Sequence, residues 1–155
     1  MPSQLVAIYA ALTTKTVTVS GMAVPVRGLD KPTGALTTAM LPLRILHPFG
    51  NQTEGRDYHF RGMSNFAKPT WTLVDFCAWR AVGQGVPPTA ELVAYMAAYA
   101  DMLKTFKDAG ASVNSAIRAT LESARLTPGV FEWPIASEQW YFGVQCQLDI
   151  TEVMT

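Results

Sequence analysis

The stretch WYFGVQCQLDITE, residues 140–152, decides the fold of this 155-residue chain. Every even-numbered position from 142 to 150 is apolar, whereas the odd-numbered positions between them are glycine or polar. This period of two is typical of a β-strand with one buried face and one face in water. Residues 130–135 and the polar segment 136–139 add a second strand and a turn. The sequence therefore predicts a C-terminal hairpin whose last strand runs to Val153.

Upstream of this hairpin, the sequence predicts a long amphipathic helix. Apolar residues recur every three or four positions from residue 92 to residue 106, and Gly110 supplies a stop. The next stretch, residues 111–125, keeps a helical spacing of apolar residues although Ser, Asn and Thr are frequent in it. It predicts a second, shorter helix, followed by a turn at Thr127-Pro128-Gly129.

The first half of the chain predicts a short helix and several short strands. Residues 3–14 have helical spacing and begin with a serine that can cap the helix. Residues 15–26 read as a strand that Gly21 interrupts and that resumes after a bulge. Residues 41–47 and 57–63 alternate like further strands, and the proline in the first of these places it at a sheet edge.

Residues 70–82 are apolar at both odd and even positions. A strand covered on both faces and a buried helix would both give this pattern, and the aromatic and β-branched content favours the strand. The chain as a whole, residues 1–155, predicts a single domain with an α+β fold. It would be a mostly antiparallel twisted sheet of four to six strands, with one long helix and one or two shorter helices packed on it.

Composition limits the classes of function. The chain has 12 basic and 12 acidic side chains, a net charge of zero, 49% hydrophobic residues and only 15% charged residues. Ordinary soluble domains carry about 25% charged residues, and a sparsely charged, neutral surface favours association. No run of Lys or Arg indicates a dedicated nucleic-acid binder. No stretch approaches the ~20 apolar residues of a spanning helix, and the start lacks a signal-peptide pattern, so we expect synthesis in the cytosol.

The metal-binding residue types do not form a recognisable site. His47, His59, Cys77 and Cys146 lack the short paired spacing that zinc sites use. We therefore expect no metal, and two cysteines that are reduced and buried in the core. The Gly83-Gln84-Gly85 segment lacks a third glycine and is followed by two prolines, so it predicts a turn and no cofactor site.

Asp75 is an isolated acid among apolar residues. A carboxylate in such a place can serve acid–base chemistry, but pairing with a cation such as Arg80, or a place at an interface, is the favoured interpretation. A competing hypothesis makes the chain a small cytosolic enzyme or ligand-binding domain, with Asp75, Cys77 and Trp79 on the floor of a pocket. Because no catalytic constellation accompanies these residues, we expect a protein that is not an enzyme.

Three aromatic residues flank the predicted C-terminal turn, namely Trp133, Trp140 and Tyr141. Aromatic residues are enriched both in cores and at subunit interfaces, and alternation alone does not distinguish the two. The three are therefore candidates both for the core and for contacts with another chain.

The order of the elements resembles that of a protein family. A short helix leads into a strand at Leu12–Gly21, a GLDKP loop follows at Gly28–Pro32, and an apolar strand ends at Pro48. The long helix comes next, and the chain closes with the strand Trp140–Glu152. This arrangement is similar to the tail terminator, or tail completion, proteins of long-tailed bacteriophages.

The resemblance implies an α+β subunit that assembles as a ring, commonly a hexamer, at the tail–neck junction of the virion. Such a ring, assembled in the host cytoplasm, caps the tail tube, stops its polymerisation and forms the junction to the head or neck. The implied partners are copies of the chain itself, the tail tube protein, neck or head-connector proteins and, where the tail has one, the sheath. DNA would only pass through the lumen, and no membrane would be involved. Another neck or head–tail completion component is the alternative within this class.

Two sets of candidate site residues follow from a ring. The loops 28–38 and 48–56 are natural contact arms. Their candidate contact residues are Leu29, Asp30, Lys31, Phe49, Asn51 and Arg56. The wall of the lumen must not grip DNA phosphates, and the polar side of the last strand contains no Lys or Arg. The candidate lumen-facing residues are therefore Gln145, Gln147, Asp149 and Thr151.

Overall fold

The structure is a computed structural model that describes residues 4–27, 36–47, 70–108, 119–134 and 137–152. A short 3-10 helix at Thr38–Met40 accompanies two α-helices and seven strands. In chain order these are α1 (Leu5–Thr14), β1 (Thr18–Val19), β2 (Met22–Ala23), β3 (Val26–Arg27), β4 (Leu43–His47), β5 (Thr70–Ala81), α2 (Thr89–Asp108), β6 (Ala119–Glu132) and β7 (Trp140–Glu152).

Five of the strands form one sheet in the order β3-β4-β5-β7-β6, and β1 and β2 form a separate hairpin. All pairs in the large sheet are antiparallel except the short β3–β4 pair. With one long helix and one short helix in the described ranges, this is the α+β fold that the sequence predicts. The strand expected at residues 57–63 lies outside the described residues.

The strand interpretation of residues 70–82 is confirmed, because β5 is a central strand between β4 and β7. Its two sides face two different hydrophobic clusters. Leu73 and Cys77 belong to the larger cluster, to which both α-helices contribute. Phe76 and Ala78 belong to a smaller cluster on the opposite side of the sheet. This double coverage explains why both parities of β5 are apolar.

The prediction for residues 111–125 and 127–129 is wrong for the part that the structure describes. Residues 119–132 form the long strand β6, which pairs with β7 through Pro128 and Gly129. β6 is an edge strand, where proline is tolerated because alternate N–H groups need no partner in the sheet. A register shift between Leu121 and Ser123 also breaks its alternation. Residues 111–118 lie outside the described ranges.

Three smaller predictions in the first half of the chain also require correction. Ser20 and Gly21, with φ of 50° and 79°, form the two-residue turn of the β1–β2 hairpin, where a bulge was predicted. Pro42 precedes β4, which is an inner strand and not the predicted edge. Gln4 occupies the N-cap of α1, and its side chain does not cap the helix, whereas the predicted serine cap lies outside the described residues.

Candidate functional site

The three aromatic residues around the C-terminal turn divide between the core and the surface. Trp133 and Tyr141 are buried in the smaller cluster, whereas Trp140 is 44% exposed. The Tyr141 hydroxyl donates to the carbonyl oxygen of Leu36 at 3.1 Å and accepts from the Leu36 amide at 2.8 Å. Of these three candidates, only Trp140 has a side chain open to a partner.

The six candidate contact residues of the two loops lie outside the described residues. Leu29, Asp30 and Lys31 fall in the gap after residue 27, and the other three fall in the gap after residue 47. Their role in contacts stays a prediction from the sequence.

The polar side of β7 lies on the sheet face away from the two α-helices. Gln145 is paired with Phe76, a member of the smaller cluster, and the four polar candidates on this side are all half-buried. Asp149 is held on both sides by neighbouring strands. Thr72 Oγ1 donates to its Oδ1 at 2.7 Å, and Ser123 Oγ donates to its Oδ2 at 2.9 Å. The structure thus brings the candidate lumen residues together as one polar strip across β5, β7 and β6.

This strip also contains a cation that the sequence argument overlooked. Arg125 of β6 is the cross-strand neighbour of Gln147, and directly opposed residues point to the same face of a sheet. Arg125 is exposed, so the polar side of β7 itself contains no Lys or Arg, but the strip that it forms with β6 does. Asp149 and Arg125 together leave the described strip without net formal charge.

Arg44 and Asp75 form an ion pair inside the larger cluster. Arg44 Nη2 donates to Asp75 Oδ2 at 2.6 Å, Arg44 Nε donates to the same oxygen at 3.2 Å, and both side chains are fully buried. Arg44 Nη1 donates to the carbonyl oxygen of Lys15 at 2.7 Å. Asp75 pairs with a cation, as the sequence predicts, but the cation is Arg44 and not Arg80. Arg80 instead forms an ion pair at the surface, where its Nη2 lies 3.7 Å from Glu91 Oε1.

Two tyrosines of α2 complete the surroundings of this ion pair. The Tyr99 hydroxyl donates to Asp75 Oδ2 at 2.9 Å, and its ring lies 5.6 Å from the Arg44 guanidinium. Tyr95 packs against Tyr99 with ring centroids 5.8 Å apart. Burial works to lower the pKa of Arg44, but the charge and hydrogen bonds of Asp75 outweigh it and keep the guanidinium protonated.

The two cysteines lie beside this cluster and are buried free thiols, as predicted. Burial raises the pKa of the Cys77 thiol, and the charge of Asp75 raises it further. Burial likewise raises the pKa of Cys146 well above its ordinary value. Both side chains therefore stay protonated at neutral pH, a state that disfavours nucleophilic or metal-binding chemistry.

The proposed pocket floor of Asp75, Cys77 and Trp79 does not open to solvent. Asp75 and Cys77 are fully buried, and Trp79 is half-buried with its ring 6.0 Å from that of Tyr95. An open cleft of about 450 Å³ lies elsewhere, between the segment after α1 and one side of α2. Its lining residues are Lys15, Thr16, Thr18, Ala98, Asp101, Met102 and Thr105.

Neither a cluster of metal-binding side chains nor a membrane-spanning helix occurs in the described ranges. No group of three or more His, Cys, Asp or Glu side chains in these ranges could hold a metal ion. Neither α-helix described here is long and apolar enough to cross a membrane.

No protein-family model matches the sequence, and no curated protein is significantly similar to it.

Proposed function

We propose that this chain is a structural virion protein, a ring-forming tail terminator of a long-tailed bacteriophage. In this role it caps the tail tube, stops tube polymerisation and joins the tail to the head or neck. The partners are copies of the chain, the tail tube protein and a neck or head-connector protein. The resemblance in the order of elements suggests this role, and the geometry of the sheet supports it.

The observation that carries the proposal is the difference between the two faces of the sheet. Both α-helices pack on one face, whereas the other presents the polar strip of Gln145, Gln147 and Asp149. A ring subunit needs such a division, because one side lines a hole and the remaining sides meet neighbours. With Arg125 and Asp149 offsetting each other, the strip has little net attraction for phosphates, so DNA would slide past it.

The same observations give less support to two other roles. Another neck or head–tail completion component uses the same surfaces and differs only in its neighbours. An enzyme built on Asp75 and Cys77 is disfavoured because both are fully buried and Asp75 is occupied by Arg44 and Tyr99.

The decisive experiment combines ring formation with control of tube length. Native mass spectrometry and electron microscopy of the purified chain are expected to show closed rings with a central hole. When these rings are added to polymerising tail tube protein, the tubes are expected to stop growing and to reject fresh subunits. A chain that stays monomeric, or that leaves the tube-length distribution unchanged, would refute the proposal.

The orientation of the polar strip is tested by labelling single introduced cysteines. The native cysteines are buried, so they contribute little background. In assembled rings, Gln147→Cys is expected to react with a small maleimide but not with a maleimide-bearing particle wider than the hole. The matched variant Ala94→Cys, on the exposed side of α2, is expected to react with both reagents. Equal labelling of the two variants by the wide particle would place the strip outside the lumen.

A further inference from the structure

Large hydrophobic side chains are exposed together at one end of the sheet. Four of the seven exposed large hydrophobic residues in the described ranges belong to this group, which we name the strand-end patch. Its members, with their exposed fractions, are Val82 (44%), Val86 (76%), Val130 (46%) and Trp140 (44%).

The pairing of the strands brings these four residues together. The Val82 amide donates to the carbonyl oxygen of Trp140 at 2.9 Å, so β5 leaves the sheet beside the start of β7. Phe142 lies two positions after Trp140 on β7. Its cross-strand neighbours are Arg80 on β5 and Val130 on β6. Arg80 Nη1 donates to the carbonyl oxygen of Val86 at 3.1 Å and holds that residue close to the same strands.

The strand-end patch has the composition of a contact surface. An exposed apolar area with a polar border is typical of protein interaction sites, and tryptophan is enriched among the residues that dominate binding energy. Here the border includes the Arg80–Glu91 pair and Glu132, the cross-strand neighbour of Trp140. The charges stay at the edge, so covering the centre would remove only apolar groups from water.

A second apolar surface lies on α1, which contains no charged residue. Its outward side, which we name the α1 face, presents Val6, 74% exposed, together with the exposed Ala7 and Ala10. A surface helix normally carries polar and charged residues on its outer side, so this face is unusual. Covering it would desolvate no side-chain charge.

The α1 face begins at the end of β7 that lies opposite the strand-end patch. The Gln4 amide, just before α1, donates to Glu152 Oε2 at 2.8 Å, and Glu152 is the last residue of β7. Trp140 is the first residue of the same 13-residue strand. At about 3.3 Å per residue, these two ends are about 40 Å apart. α1 begins at the Glu152 end, and Lys15, directly after it, lies beside Arg44 in the middle of the sheet. The start of α1 with Val6 is therefore well separated from Trp140, and the two surfaces do not cover each other within one chain.

We infer that the strand-end patch of one copy of this chain docks on the α1 face of the next copy. This inference rests on the proposed ring and names the surfaces that build it. Two unlike surfaces at separate places on the subunit give a head-to-tail contact, which closes into a ring when the rotation between subunits allows it. Neither centre carries a charge, and the chain has no net charge, so copies of it do not repel one another.

The surface area is compatible with this arrangement. A standard contact covers about 800 Å² on each partner. Two such contacts per subunit would cover about a fifth of the 8269 Å² of accessible surface. The two surfaces defined here would be the apolar anchors of each contact, surrounded by more polar area.

The test uses two variants that each block one surface. Trp140→Asp disables the strand-end patch and Val6→Asp disables the α1 face, and both positions are exposed, so circular dichroism should show an unchanged fold. Met22→Asp changes another exposed hydrophobic residue, 45% exposed in the β1–β2 hairpin, and serves as the matched control. Native mass spectrometry and sedimentation are the readouts.

We expect rings from the wild-type chain and from Met22→Asp, and single chains from each blocked variant. An equimolar mixture of the two blocked variants is expected to give a species of two chains and no ring, because one intact patch meets one intact α1 face. Rings that persist in either blocked variant, or a mixture that stays monomeric, would overturn the inference while leaving the proposed function standing. A wild-type chain that forms no ring would overturn both.

Discussion

Replacing Asp75 by asparagine is expected to cost far more stability than any change in a surface ion pair. Asp75→Asn keeps the size of the side chain but leaves the Arg44 guanidinium without a counterion in a fully buried place. Removing one partner of a buried pair costs about 3–5 kcal/mol of unfolding free energy. The Tyr99 hydroxyl donates to the Asp75 carboxylate, and the Arg44 guanidinium donates to the carbonyl oxygen of Lys15, so both hydrogen bonds would be disturbed by the change.

The chain offers a matched control in the pair formed by Arg80 and Glu91. Its N···O distance is 3.7 Å, and its side chains are 33% and 48% exposed. Glu91→Gln is expected to cost less than about 1 kcal/mol, because water screens an exposed pair. The double variant Arg44→Met with Asp75→Leu is expected to recover most of the stability lost in Asp75→Asn, since apolar groups of similar size often replace a buried pair without loss.

Urea unfolding followed by circular dichroism measures these differences. With a slope of about 2 kcal/mol per molar urea, the Asp75→Asn midpoint should fall by about 2 M and the Glu91→Gln midpoint by less than about 0.5 M. A loss of less than about 1 kcal/mol for Asp75→Asn, or a loss equal to that of Glu91→Gln, would refute this expectation. A loss as small as that of an exposed pair would mean that water reaches Arg44 and Asp75.

Three further predictions follow from the same core. Cys77 and Cys146 are expected to react with a thiol reagent only after urea unfolding, because both thiols are buried and protonated in the folded chain, and fast labelling of the native chain would contradict this. Gly143→Ala is expected to prevent folding or to cost several kcal/mol of unfolding free energy, because its new methyl group would collide with the carbonyl oxygen of Cys77. Gly129→Ala, where a methyl group has room, is the control, and a thermal unfolding temperature equal in the two variants would contradict the prediction. The free energy of unfolding is expected to fall as the pH rises above about 9. Burial raises the pKa values of both cysteines and Tyr99 in the folded chain, so the unfolded chain loses these protons at lower pH than the folded chain. An unfolding free energy that stays constant from pH 8 to pH 11 would contradict this.

The strands that lie in the middle of the sheet were readable from the sequence. β7 keeps its strict alternation because one side faces the helices and the other is half-buried and polar. β5 has apolar residues on both sides because both sides face a hydrophobic cluster. In each strand, the burial of a side favours apolar residues on that side, and the resulting spacing of apolar residues is what the sequence shows.

The edge strand β6 was not readable, for the opposite reason. Beyond Leu121 most of its residues are exposed on both sides, so burial selects few of them. The register shift before Ser123 moves later residues to the other parity, and Pro128 is an ordinary turn signal. The helical spacing of apolar residues in this region was therefore coincidental for residues 119–125.

The partner of Asp75 could not be read from the sequence because strand pairing decides it. Asp75 lies opposite Leu46, and Arg44 lies opposite Cys77, so a contact between residues 31 positions apart depends on the register of β4 with β5. A signal was nevertheless present. Arg44 is the one Lys or Arg in the apolar strand β4, and Asp75 is the one acidic residue in β5. An arginine in one apolar strand and a carboxylate in another are a reason to pair those strands, although Arg80 of β5 offers the same carboxylate a second cation.

The buried ion pair and the proposed ring are connected through the rigidity of the subunit. A head-to-tail ring closes only if every subunit holds its two contact surfaces at the same angle and distance. Arg44 lies on β4, Asp75 on β5 and Tyr99 on α2, and Arg44 also contacts the backbone at Lys15, directly after α1. A fully bonded buried network disfavours other packings, because any shift would leave a charge unpaired. We infer that this network fixes α1, with its outer face, relative to the sheet that carries Trp140. A chain with few charges overall thus has two of them in the core, at the place where they keep one contact surface aligned with the other.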